Sequence, residues 1–163
     1  MRIDDDIYAM AVRVGRAALA RKLRLATAES CTGGLIAGAI TAVAGSSDWF
    51  DRGFVTYSND AKVKLLGVSK RTLGKHGAVS EETAREMARG ALRRSRAQAS
   101  VAVTGIAGPG GGSRAKPVGL VWFAWAGRGV GVQTRAFLFP GDRATVRRKS
   151  VSVAIQGLIQ LLG

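Results

Sequence analysis

The 163 residues, 47% hydrophobic and 22% charged, suffice to bury one real core, and a single domain spanning residues 1–163 is expected. A lone cysteine, Cys31, and a lone histidine, His76, exclude an internal disulfide and a Cys/His zinc cluster, so chemistry must come from hydroxyls, carboxylates, amines or that one thiol. The formal net charge of +14 raises polyanions as partners, yet the basic groups "ARKLR", "LRRSR" and "VRRKS" are scattered and lack a zinc finger or aromatic stacking motif, so no specific nucleic acid is expected.

The chain opens on Asp4, Asp5 and Asp6, which suit the positive end of a helix dipole. Ile7, Met10, Ala11, Val14 and Ala18 then recur at helical spacing, predicting an amphipathic helix to about Arg21. This acidic start is unlike the basic and then apolar start of a secretory signal. No apolar run reaches membrane-spanning length, and a cytoplasmic protein is expected. "LRLATA" reads as a strand, followed by a glycine-spotted helix through Val43. "GFVTYS" reads as a second strand, and Asn59 or Asp60 as the cap of a helix "AKVKLL" that Gly67 ends.

A short segment leads to Ser80, which with Glu81 and Glu82 opens a helix to about Arg94. "ASVAVTG" reads as a central strand and "IAGPGGGSRAKP" as a loop. "VGLVWFAWA" and "VGVQTRAFLF" around "GRG" read as a hairpin in which Trp122 and Trp125 face opposite ways. Asp142 caps a last helix with an inward stripe of Val146, Val153, Leu158 and Leu161. Strands alternating with helices, then a hairpin and a helix, give an α/β fold, a three-layer α/β/α sandwich with a mixed sheet.

Two loops follow strand C-termini and should face one another across the ligand crevice of such a sheet. The glycine loop lacks both the GK[ST] ending and the G-x-G-x-x-G spacing of nucleotide fingerprints, although its N–H groups can still present to an anion. In "AESCTGG", Ser30 stands where a strand becomes a helix, near free N–H groups able to hold a phosphate or an oxyanion. Ser30 or Thr32 could instead be a plain N-cap. The balance shifts with "GFVTYSNDAK", which puts Tyr57 and Lys62 on the same sheet edge. A lysine deprotonates a serine only when neutral. Lowering its pKa from about 10.4 towards 7 costs about 4–5 kcal/mol, which a partly buried, electropositive site can supply. Lys64 falls on another helix face. Cys31 competes with Ser30 as nucleophile but reads better as a small buried side chain. His76 suits loop ordering, and Glu29 either orients a neighbour or pairs with an arginine.

The stretches "TAESCTGG", "DWFDRGFVTYSNDAK", "KHGAVSEETAREMARGA", "VTGIAGPGGGS", "KPVG" and "FPGDR" stand in the order found in the CinA C-terminal domain family, which the chain resembles over nearly its whole length. The resemblance implies a nicotinamide-nucleotide amidase that converts nicotinamide mononucleotide to nicotinic acid mononucleotide and ammonia, with neither metal nor cofactor. It implies Ser30 as nucleophile, Lys62 as its base and Tyr57, a neighbouring hydroxyl, as the third catalytic residue, with Thr104 and Arg143 as further site residues. Thr32, Gly33 and Gly34 of one loop and Gly105 and Gly108 of the other are the expected substrate contacts, with Arg143 a candidate for the phosphate. Arg114 and Ala115 stand where many relatives carry acidic residues. A small-molecule nucleotide partner and self-association are expected. The competing expectation is a non-catalytic nucleotide- or nucleic-acid-binding module built on the basic surface and glycine loop.

Overall fold

A computed structural model describes residues 3–163. Five strands, β1 (Leu25–Glu29), β2 (Phe50–Val55), β3 (Ala99–Gly105), β4 (Leu120–Gly127) and β5 (Gly131–Leu138), form one sheet in the order β2-β1-β3-β4-β5. β1 pairs in parallel with β2 and β3, while β3–β4 and β4–β5 are antiparallel, giving the mixed sheet. Helices α1 (Asp5–Ala20), α2 (Leu35–Thr41) and α6 (Arg143–Leu162) cover one face. The other face carries α3 (Asn59–Leu66), α4 (Lys70–His76) and α5 (Glu81–Arg93). This is the expected three-layer sandwich.

The pleat sorts alternate residues between two cores. Val101, Val103, Phe123 and Trp125 pack with Val14, Ile40 and Leu158 under α1, α2 and α6. Ala26, Ala28, Ala102 and Ala124 meet Leu66, Met87 and Ala88 on the other side, where Trp122 also packs. Small side chains there let α5 lie close to the sheet. Helix approaches helix as closely: a Cβ on Gly90 would stand 2.1 Å from the Leu66 carbonyl oxygen. That contact holds α3, and with it Lys62, over the C-terminal end of β1.

Several boundaries differ from the sequence reading. β2 begins at Phe50 and carries a bulge, since Leu25 pairs with Phe50 and Ala26 with Arg52. Ser58, accepting from the Ala61 N–H, caps α3 in place of Asn59 or Asp60. The segment "KRTLGKH" is helical although it has no buried stripe, because the Ser69 hydroxyl accepts from the N–H groups of Arg71 and Thr72. In α6 the buried positions are Val146, Ser150, Val151, Ala154, Ile155, Leu158 and Leu162, and Val153 and Leu161 are only partly buried.

Candidate active site

Ser30 follows the last residue of β1, and Lys62 rises from α3 beside it. The Lys62 Nζ lies 3.0 Å from the Ser30 Oγ and donates to the Thr56 carbonyl at 2.9 Å. Lys62 is 1% exposed. Burial disfavours the charged ammonium and holds its pKa below the ordinary 10.5. Desolvation is the dominant cause, so the expected help from neighbouring positive charge is not what lowers it. Lys64, by contrast, is exposed and pairs with Asp60 at 3.0 Å.

The loop that carries Ser30 is tied down by two residues whose roles sequence reasoning left open or missed. Glu29 is 0% exposed. One of its carboxylate oxygens accepts from the Thr32 hydroxyl at 2.7 Å and the Ile36 N–H at 2.9 Å, and the other from the Ala37 N–H at 3.0 Å. It thus caps α2, which has no cap from its own Gly34, and a carboxylate is favoured at that positive helix end. From the far side, the Arg147 guanidinium donates to the carbonyls of Cys31 at 3.1 Å and Thr32 at 3.3 Å. The i,i+4 spacing of Arg143 and Arg147 at the start of α6 is the one sequence signal for a second arginine at this edge. Glutamine at position 29 would turn an amide N–H towards donors. We expect Glu29→Gln to cost about 2–4 kcal/mol in a urea titration, and to lower kcat roughly 10- to 100-fold with KM nearly unchanged.

A cleft of about 250 Å³ opens on the Ser30–Lys62 pair, lined by Tyr57, Ala78, Thr104, Gly105 and Arg143 among others. Tyr57 is 60% exposed and forms part of the wall. Its hydroxyl accepts from Arg143 at 2.9 Å, while the same guanidinium donates to the Gly108 carbonyl at 2.9 Å. The Thr104 hydroxyl donates to the Ala78 carbonyl at 2.8 Å and so fixes the segment between α4 and α5 at the cleft.

The remaining expected contacts do not line this cleft. Thr32 is fully buried with its hydroxyl on Glu29, and the Gly33 N–H is already used by the Ser30 carbonyl at 3.0 Å. Gly33 and Gly34 adopt positive φ, 58° and 98°, which lets the chain turn sharply into α2. Gly108 holds Arg143 through its carbonyl. Beyond Arg143 a second cavity, of about 670 Å³, is lined by Pro109, Val118, Asp142, Ala144 and Arg147.

Cys31 borders the cleft, but burial pushes its thiol up to about 11, so at neutral pH it is a protonated, poor nucleophile. Alkylating reagents that modify accessible thiols are expected to leave turnover within about 2-fold of the untreated protein, as is Cys31→Ala, measured as initial rates. His76 sits 3.5 Å from Glu82, and its carbonyl accepts from Lys116, which ties the α4 end to the glycine loop. Among the described residues no three His, Cys, Asp or Glu side chains gather to hold a metal ion, and no helix is long and apolar enough to cross a membrane.

Comparison with known proteins bears on this geometry. The family model described as the CinA C-terminal domain matches residues 7–162. The chain is 54% identical over 158 residues to an Escherichia coli K12 protein named nicotinamide-nucleotide amidohydrolase PncC, covering 96% of this chain and 95% of that one. A Pseudomonas putida protein of the same name is 52% identical over 157 residues, with 96% and 98% covered. Among solved structures, the competence/damage inducible protein CihA from Agrobacterium tumefaciens superposes with a TM-score of 0.97 at 51% identity, covering 100% of this chain and 99% of its own.

Proposed function

The chain belongs to the CinA C-terminal domain family, and from that premise we propose that it hydrolyses the carboxamide of nicotinamide mononucleotide, releasing ammonia and nicotinic acid mononucleotide. The observation that carries this reading is the 3.0 Å contact between the Ser30 hydroxyl and a buried amine whose pKa is depressed.

Neutral Lys62 donates one N–H to the Thr56 carbonyl, leaving its lone pair to accept the Ser30 proton. As the proton moves to Nζ, Oγ bonds to the carboxamide carbon and the carbonyl electrons pass to oxygen. With Gly33 committed to the Ser30 carbonyl and Ile36 and Ala37 to Glu29, the remaining N–H groups of the Cys31–Gly34 turn are the assigned oxyanion donors. Collapse of the tetrahedral intermediate expels the nitrogen, which takes the proton from Nζ and leaves as ammonia. Water then attacks the acyl-enzyme, giving a proton to Nζ that returns to Ser30. The substrate's own pyridinium withdraws electrons from the carboxamide.

Tyr57 makes its hydrogen bond to Arg143, so we assign it to the wall of the site and its strap, while Lys62 alone carries the proton. Arg143 and the start of α6 face the larger cavity and suit the substrate phosphate, since helix N-termini and guanidinium groups both favour oxyanions. The test is ammonia release from nicotinamide mononucleotide, with and without chelator. Turnover that is unaffected by chelator is expected, and absence of turnover by the folded chain overturns the reading.

A further inference from the structure

The opposite end of the sheet from Ser30 gathers the strand starts Leu25, Phe50 and Ala99 and the end of α5. Six arginines converge there: Arg24, Arg52, Arg93, Arg94, Arg96 and Arg128, all exposed. They are linked through one short stretch of chain. Arg52 donates to the Arg94 carbonyl at 3.2 Å. Arg128 donates to the carbonyls of Leu92, Ala97 and Ser95. The Arg24 N–H donates to the Gln98 side chain, whose own amide donates to the Arg96 carbonyl. The Nη2 atoms of Arg93 and Arg94 both come within 3.7 Å of the position a Cβ on Gly67 would occupy.

Asp51 is the carboxylate set into this group, already engaged by the Arg52 side chain and the Arg96 N–H. Capping of helix C-termini accounts for Arg93, which donates to the Leu66 carbonyl at the end of α3, and for Arg52 and Arg128, which donate to the Arg94 and Leu92 carbonyls at the end of α5. It does not account for Arg24 and Arg96, which sit on loops, and it leaves the Arg94 guanidinium unengaged. Among the described residues, the Arg94 and Arg96 side chains have no hydrogen-bonding or ion-pairing partner within the protein.

We infer that this arginine-rich pole is a second binding surface, separate from the amidase cleft, for the phosphodiester backbone of a double-stranded nucleic acid. Guanidinium groups with spare N–H donors match phosphate oxygens. The aromatic side chains at this pole, Trp49 and Phe50, are turned into the core, so the cluster offers little on which unpaired bases could stack, and it reads backbone alone. Binding is therefore independent of base sequence and steeply salt-dependent.

The test is fluorescence anisotropy of the full chain with labelled DNA and RNA duplexes of about 20 base pairs, and the matching single strands, in about 50 to 200 mM salt. Four phosphates neutralised predict that affinity falls about 100-fold over that range. Arg94→Glu with Arg96→Glu, chosen because neither side chain has an internal partner, should weaken duplex binding at least about 10-fold and reduce the salt slope by about 2. That variant should retain its thermal unfolding midpoint and ammonia release. A control pair, Arg13→Glu with Arg135→Glu, makes the same change in net charge at exposed positions outside the cluster and should weaken binding less than about 3-fold. Tighter binding of the DNA or of the RNA duplex identifies the source of the backbone. Equal losses in the two double variants, preference for the single strands, or no binding at the lowest salt would each overturn the assignment.

Discussion

Ser30→Ala is expected to reduce kcat for ammonia release from nicotinamide mononucleotide by roughly 10⁴- to 10⁶-fold while the chain stays folded and still binds substrate. The size of the effect follows from the covalent route. Without Oγ there is no acyl-enzyme, and residual rate comes only from positioning and oxyanion contacts. The change is small in structural terms, because Ser30 is a loop residue whose backbone N–H, bonded to the Val103 carbonyl at 2.9 Å, is untouched. A rapid-quench search for a covalent acyl-enzyme should find one in the parent chain and none in the variant. Retention of more than about a tenth of the rate would remove Ser30 from the mechanism.

Lys62→Met should be as damaging to turnover, roughly 10⁴-fold or more, yet favourable to stability at low pH. Burial lowers the Lys62 pKa below the ordinary 10.5, so between the lowered value and 10.5 the folded chain binds fewer protons than the unfolded one. Stability contributed through this group therefore rises with pH across that window, and the penalty is borne in full below it. Methionine removes the penalty. The stability gain of the variant should be largest at low pH and shrink as pH climbs towards 10.5, read from urea titrations at several pH values. The parent's kcat should fall tenfold per unit as pH drops below the Lys62 pKa, and the residual activity of Lys62→Met should lose that acid limb. An unchanged limb in the variant would assign the titration to another group.

Much of this architecture is legible in the residues. "ASVAVTG" is buried on both faces and reads as a central strand because nothing in it is charged. Ser30 and Lys62 can be placed together because each follows the end of a parallel strand, and such ends share one edge of a sheet. The start of β2 is not legible, because Asp51 and Arg52 disguise a bulged edge strand whose pairing is set by β1. The α6 stripe is blurred because α1, α2 and the sheet all pack on it, which widens the buried arc beyond a single row.

The supports of the site are hidden for a different reason. Glu29 and Arg147 act on backbone N–H and C=O groups, whose need for partners appears in no side-chain pattern. The link from Arg143 to Tyr57 spans 86 positions and depends on where α6 begins relative to β2. The Thr32 hydroxyl and the Gly33 N–H go into folding the turn that presents Ser30, which no side-chain pattern announces.

Direct titration of the Lys62 side chain by NMR, with lysine labelled at Cε and Nζ and Lys62→Met used for assignment, probes the shared premise of both variants. A midpoint clearly below 10.5 in the folded, substrate-free protein, moving upward when Ser30 and its loop are unfolded by urea, is the predicted result. A midpoint at or above the ordinary lysine value would mean the amine stays an ammonium at neutral pH, and a serine beside it would have no base.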